Sequence, residues 1–199
     1  NLCGSRSTVP VMEKHGYSIV QCRSCGLVYV NPRVPRERLA REIYGKEYFD
    51  AEKGYGLAQH FSEQSRQHAR RWGGERLQWI EKHTAPGRLL DVGCAAGYFL
   101  LAAQERGWLA RGMEISQHAA TYARGQLGLD VITGDFSTLQ HNTGTLDEPF
   151  DLVTMLDVIE HFADPLAALR NARAALEPGA LLFAATPNFA SLPAKALGE

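Results

Sequence analysis

The feature that most constrains this chain is an apolar run that ends in a glycine loop and passes directly into a helical stretch. Arg88-Leu-Leu-Asp-Val92 reads as a buried strand, Gly93-Cys-Ala-Ala-Gly97 as a turn, and Tyr98–Arg106 as a helix. The alternation continues. Trp108–Ile115 reads as a strand, and Ser116 is placed to cap a helix running to about Leu127. Asp130–Ile132 and Phe150–Leu156 read as two more strands. Asp164-Pro165 pairs a capping residue with a proline at the first helical position, and Leu166, Leu169 and Leu176 give that helix an apolar stripe. Glu177-Pro-Gly179 ends the helix, and Ala180–Ala185 is a fifth strand. Apolar strands alternating with helices form a parallel sheet covered on both faces, so the expected class is α/β and doubly wound. Ligands of such sheets sit at the carboxyl ends of the strands.

At 199 residues the chain has room for one full domain and a small appendage, or for two small domains. Hydrophobic residues at 45% and charged residues at 22% exclude a disordered tail, a collagen repeat and a disulfide-packed mini-protein. No apolar run approaches the 18 or so residues of a membrane span, and no secretory leader opens the sequence, so a cytoplasmic location is expected. The net charge of −1 gives no bulk attraction for nucleic acid. It is unevenly spread. Residues 1–41 hold seven Lys/Arg against two Asp/Glu, whereas residues 42–199 hold 14 against 20.

The basic segment contains three of the four cysteines. Cys22-Arg-Ser-Cys25-Gly26 is a C-x-x-C-G knuckle, in which two thiolates turn back onto one ion and the glycine permits the tight turn. Cys3-Gly4 resembles the second half of another knuckle, whose first cysteine would precede Asn1. Residues 1–34 are therefore expected to form a zinc-ribbon-like module. Cys3, Cys22 and Cys25 are its expected metal ligands and Val9–Val20 a strand or hairpin; in this chain the three thiolates recruit His15 or water as a fourth ligand, or leave the site empty. A structural disulfide and a redox C-x-x-C are the other readings; the strand-like Gly26–Val30 after the motif argues against redox, which expects a helix there. The module's role is scaffold or substrate-side lid, or else an RNA-facing surface.

Residues 35–84 read as a helical connector or lid. Asn31-Pro-Arg-Val-Pro35 is a linker, Glu37–Tyr44 a short helix, and residues 57–83 a long helical stretch interrupted at Gly73-Gly74. Trp72, Leu77 and Ile80 mark its packing face. Tyr44, Tyr48, Phe49 and Tyr55 form an aromatic cluster, mostly core, with one or two rings placed to cover a ligand.

The chemistry gathers around the glycine loop. Gly93 and Gly97 allow close backbone approach, and the helix beyond offers N–H groups. Asp91 lies inside the strand, two residues before the first glycine. Glu114 ends the next strand, where an acid accepts hydrogen bonds from ribose hydroxyls. Gly134-Asp135-Phe136 follows the third strand; Asp accepts from an adenine amine and Phe packs on the ring. The G-x-G-x-x-G spacing of nicotinamide enzymes is missing.

Leu89–Gly97, Met113-Glu114, Gly134–Phe136 and Phe150–His161, in that order and spacing, resemble a class I S-adenosylmethionine-dependent methyltransferase over roughly residues 85–188. The resemblance implies a Rossmann-like sheet, with five of the family's seven strands visible, and S-adenosylmethionine as cofactor. It assigns Asp91, Gly93 and Gly97 to the methionine end of that cofactor and Glu114 to its ribose, with Cys94 and Ile115 also among the cofactor-binding residues. Asp135 and Phe136 would hold adenine, and Leu156 and Asp157 would line the site. Cys94 has no cysteine neighbour in sequence and is expected to pack. Ala95 departs from the family's usual glycine and narrows the loop slightly. The ribbon and its Asn-Pro-Arg linker resemble zinc-ribbon-bearing small-molecule methyltransferases.

Asp157-Val-Ile-Glu160-His161 places three ligand-capable side chains after a buried strand. The segment resembles ones in ubiquinone-pathway and small-RNA methyltransferases that can bind a divalent metal, which would polarise a hydroxyl. Here Glu160 and His161 are the catalytic candidates, with His161 as general base; a purely structural turn is the third reading. The domain at residues 85–199 is expected to be incomplete at its C-terminus, leaving an open sheet edge that would either invite a homodimer or be covered by a C-terminal segment wrapped over the gap. The expected activity is methyl transfer to an O-, C- or N-nucleophile of a small molecule. Its rivals are an RNA methyltransferase gripping RNA through the basic ribbon, and a non-catalytic cofactor- or partner-binding domain.

Overall fold

A computed structural model describes residues 2–14, 16–35, 38–39, 43–49, 63–139, 146, 148–188 and 191. The first three strands, β1 (Thr8–Lys14), β2 (Tyr17–Cys22) and β3 (Val28–Val30), form a small antiparallel sheet in that order. The hairpin expected between the knuckles is present. The short helix α1 (Lys46–Phe49) and the long helix α2 (Glu63–Ile80) follow. Half of the expected Glu37–Tyr44 helix, together with Tyr55 and His15, lies outside the described residues.

The remaining elements alternate: β4 (Arg88–Val92), α3 (Tyr98–Glu105), β5 (Leu109–Glu114), α4 (Gln117–Leu127), β6 (Val131–Thr133), β7 (Phe150–Leu156), α5 (Pro165–Ala175) and β8 (Leu176–Ala185). The sheet order is β6-β5-β4-β7-β8, and every pair is parallel. The chain winds outward from β4 through β5 to β6, then returns to lay β7 against the other side of β4. That reversal opens a crevice beyond the carboxyl ends of β4 and β7, where doubly wound sheets bind ligands.

The strands are apolar because both faces are covered. Leu77, Ile80, Leu89, Phe99, Leu100, Trp108 and Ala123 form the core under α2, α3 and α4. Leu90, Val92, Met113, Phe150, Val153, Met155 and Ala172 form the one under α5. The expected caps are present. Ser116 Oγ accepts from the Ala119 N–H, and Asp164 Oδ1 accepts from the Ala167 N–H at 3.0 Å with Pro165 in the first turn. Such caps contribute about 1 kcal/mol each.

Two expectations fail. Helix α2 runs without interruption through Gly73 and Gly74. A β-carbon on Gly73 would lie 3.1 Å from Phe99 Cδ2 and 3.3 Å from Ala102 Cβ, so this glycine allows α2 and α3 to approach closely, and packing offsets its poor helix propensity. The buried face of α5 is Ala168, Asn171, Ala172 and Ala175, whereas Leu166 and Leu169 are half-buried and Leu176 already belongs to β8. Small residues let α5 lie close to the sheet, and Asn171 donates to the Phe136 carbonyl at 2.7 Å.

The two adjacent glycines of α2 should therefore respond oppositely. A β-carbon on Gly74 would meet nothing within 4 Å, so Gly74→Ala should stabilise by about 0.5–1 kcal/mol. Gly73→Leu should destabilise by about 1–3 kcal/mol through overpacking. Urea unfolding midpoints at constant slope check both; equal effects would contradict the close α2–α3 approach.

Candidate functional site

Register brings the site together. Asp91 stands level with Gly112 on β5 and with Thr154 on β7. The Thr154 hydroxyl donates to Asp91 Oδ1 at 2.7 Å; both groups are buried. Thr154 was not singled out from sequence, although a hydroxyl in an otherwise apolar strand was the available signal. Burial pushes the Asp91 carboxyl up to about 7; the Thr154 bond opposes this, and the Glu114 carboxylate adds to it.

Glu114 ends β5 with 6% of its surface exposed. Its Oε2 accepts from the Ala95 N–H at 2.9 Å and its Oε1 from the Ser116 N–H at 2.7 Å. Burial raises its pKa, and those N–H groups oppose the shift. Ala95 adopts a left-handed φ of 48°, a conformation that suits the glycine expected there and costs an alanine about 1–2 kcal/mol. Asp135 Oδ1 accepts from the Ser137 N–H and hydroxyl at 2.8 and 2.7 Å, capping the 3-10 turn Phe136–Thr138. Phe136 is 2% exposed.

A cavity of about 490 Å3 opens over these groups. Among the expected residues, Asp91, Gly93, Cys94, Glu114, Ile115, Asp135, Phe136, Leu156, Asp157, Glu160 and His161 line it. Gly97 lies beneath. It caps α3 at φ 85°, and a β-carbon there would stand 2.4 Å from Leu129 Cδ1. Cys94 reaches the wall but directs its sulfur at Gly112, where an added β-carbon would meet it at 2.5 Å; burial holds the thiol well above its ordinary pKa. Packing accounts for both residues.

The open side carries Asp157, Glu160 and His161. Asp157 has a left-handed φ of 51°. His161 Nε2 is 4.0 Å from Glu160 Oε1 in the 3-10 turn Ile159–His161. Aromatic rings face this end. Tyr44 meets His161 edge-on with centroids 5.7 Å apart, and Tyr48 meets Tyr44 at 5.1 Å. Burial, with Tyr48, Glu114 and Glu160 nearby, raises the Tyr44 pKa far above neutrality, so its hydroxyl remains a donor. Trp72, read as a packing residue, also lines the cavity with Arg76 stacked 3.2 Å from its ring centroid. Its helical spacing with Leu77 concealed that second role.

The donor set suits S-adenosylmethionine. Three carboxyl groups, Asp91, Glu114 and Asp135, line the cavity as acceptors beside apolar walls, a lining whose chemistry fits a ligand with ammonium, hydroxyl and amine donors and a flat ring. The N-terminal module holds the second candidate site. The sulfurs of Cys3, Cys22 and Cys25 lie within 4.8 Å of one another, and Cys3–Cys22 is 3.6 Å. Metal–sulfur bonds of about 2.3 Å in a tetrahedron place sulfurs about 3.8 Å apart, so the cluster fits zinc. The Cys25 and Ser24 N–H groups draw the Cys22 thiol down to about 7, toward the thiolate.

Residues 61–198 match the family described as "Methyltransferase domain". A ubiquinone biosynthesis O-methyltransferase from Histophilus somni (strain 2336) is 30% identical over 122 residues, covering 57% of this chain and 51% of the relative. Its counterpart from Idiomarina loihiensis is 33% identical over 118 residues, covering 57% and 49%. This chain thus spans about half the length of the curated relatives it matches. Among solved structures, an S-adenosylmethionine-bound amino pentose methyltransferase from Micromonospora echinaspora superposes with a TM-score of 0.54 at 26% identity, covering 61% of this chain and 52% of that one. The PH0226 protein from Pyrococcus horikoshii OT3 superposes with a TM-score of 0.57 at 23% identity, covering 77% and 69%, a likeness of fold. With its parallel sheet, its glycine loop and this match over residues 61–198, the chain belongs to the methyltransferase-domain family and has the class I S-adenosylmethionine-dependent fold.

Proposed function

We propose that the protein transfers a methyl group from S-adenosylmethionine to a small-molecule acceptor. The observation that carries this reading is the cavity uniting Asp91, Gly93, Glu114, Asp135 and Phe136 at the carboxyl ends of β4, β5 and β6. In it, Asp91 and the Gly93 loop hold the methionine end, Glu114 and Ile115 the ribose, Asp135 and Phe136 the adenine, and Leu156 and Asp157 the adjoining wall. Bound there, S-adenosylmethionine supplies a methyl group on a positively charged sulfur. The chain's own work is then to orient the acceptor, exclude water and take up a proton. His161 accepts that proton at Nε2, with Glu160 4.0 Å away to stabilise the imidazolium. Tyr44, Tyr48 and Trp72 cover the donor and exclude water. The relatives named as ubiquinone biosynthesis O-methyltransferases favour an oxygen nucleophile, and the amino pentose methyltransferase favours a small polar acceptor. Zinc, held by Cys3, Cys22 and Cys25, would fasten the N-terminal strands, which are too small to have a core of their own.

Calorimetric titration with S-adenosylmethionine tests the reading. Glu114→Ala and Asp91→Ala should each weaken binding by about 10- to 100-fold, the size of a lost hydrogen bond to a charged group. Unchanged affinity in both, with the fold intact, would overturn it.

Binding should also depend on pH. Asp91 is raised from an ordinary value of 3.8 to about 7, so the empty protein holds this carboxyl protonated below neutrality. A carboxyl whose pKa is raised by folding favours the folded state most at low pH, and this contribution falls as pH rises from about 3.8 to about 7. A cationic ligand reverses the preference and expels the proton. Affinity should therefore drop about tenfold per unit below pH 7, and proton release should be measurable in buffers of different ionisation enthalpy. Asp91→Asn should abolish both effects; a pH-independent affinity in the unaltered protein would contradict the assignment.

For the thiols, elemental analysis of the purified protein should find about one zinc per chain, largely lost in Cys22→Ser. Chelation should melt the β1–β3 sheet first, seen as faster amide exchange there. A metal-free protein with a protected hairpin would refute a structural zinc.

A further inference from the structure

We propose that Arg33 is a positioning residue for the acceptor end of the cavity, tying the N-terminal strand module to the turn that carries Glu160 and His161. Its guanidinium donates to the Phe162 carbonyl at 2.6 Å, joining residues 129 positions apart in the chain. The same guanidinium lies 5.6 Å from the ring centroid of Tyr29 in β3, so its other anchor is the small antiparallel sheet. Phe162 directly follows the turn Ile159–His161, and both Phe162 and Ala163 line the cavity.

The turn has little to hold it from within. Among the described residues no side chain caps it, and its internal bonds are His161 N–H to Val158 O at 3.0 Å and Phe162 N–H to Ile159 O at 3.4 Å. It follows Asp157 at a left-handed φ of 51°. A three-residue turn entered through unfavourable backbone keeps one path only when its surroundings impose it. Val158, Ile159 and Phe162 pack against the core under α5, the Asp157 N–H donates to the Ala185 carbonyl at 2.8 Å, and two further contacts act on the turn itself. The Tyr44 ring meets His161 edge-on, and Arg33 makes a charge-assisted bond to the main chain one residue later. Because Arg33 grips a carbonyl, it fixes the backbone from which His161 projects, whatever side chain stands at position 162. The thiol-bearing module and the methyl-transfer site are thereby one working unit. The acceptor role assigned to this turn rests on the function proposed above; the clamp does not.

Hydrogen exchange of the intact chain over residues 157–163 tests the clamp, together with the His161 ring resonance, identified by its loss in His161→Gln. In Arg33→Ala, exchange across this segment should accelerate about tenfold and the His161 resonance should shift, while S-adenosylmethionine affinity stays within about twofold. Arg33→Lys should restore part of both effects. Tyr29→Leu, which removes the ring but not the donor, should leave the turn protected. If Arg33→Ala also loses protection across the central sheet, Arg33→Met, which keeps an unbranched aliphatic side chain but no donor, decides the matter by the same readouts. Unchanged exchange and an unshifted His161 in Arg33→Ala, or in Arg33→Met where that variant is needed, would overturn the proposal. Failure of the unaltered chain to bind S-adenosylmethionine would instead strike the cofactor assignment, leaving the exchange result to judge the clamp.

Discussion

The Glu114 carboxylate holds the site in shape. It closes β5 in an almost dry position and has two backbone N–H groups to satisfy it. One belongs to Ala95, in the loop after β4; the other belongs to Ser116, which caps α4. A single side chain thus joins two consecutive strand-to-helix turns. It also explains how an alanine tolerates a left-handed backbone in the loop: a charge-assisted bond to its own N–H offsets the strain. The loop is set before any ligand arrives, and the residue that sets it faces the cavity.

Asp91 complements this arrangement from the centre of the sheet. A carboxylate with Leu89, Leu90 and Val92 as neighbours has lost its water, and Thr154 supplies only one hydroxyl in return. Its charge is therefore costly in the empty protein and best stabilised by a cation in the cavity. In the proposed function that cation is part of the methyl donor, so the buried acid contributes selectivity for a positively charged cofactor. Crowding acts alongside charge: Gly97 and Gly112 allow helices, strands and the Cys94 sulfur to converge beneath the loop, leaving the cavity above it open.

The central elements were legible because local rules and the fold agree. Apolar runs bounded by glycine, a serine and an aspartate at helix starts, and acids at strand ends gave β4 to β8, their helices and most of the cavity wall in order. Where legibility failed, neighbours distant in sequence overrode a local preference. Gly73 and Gly74 look alike as helix breakers, yet one faces Phe99 and Ala102 and the other open space. The leucines of α5 looked like its buried stripe, but alanines face the sheet because the helix axis lies close to it.

From the sequence alone, the class of fold, the glycine loop and the acids around it could be read, since strand periodicity and strand-end chemistry are local properties of the chain. Only the tertiary structure decided that Thr154 supports Asp91, that Trp72 lines the cavity, that Gly97 serves packing, and that Arg33 reaches the Phe162 carbonyl. Those facts depend on sheet register and on crossings between segments far apart in the chain. A side chain's local pattern states which face it occupies, but its partner is set by whatever the fold brings opposite.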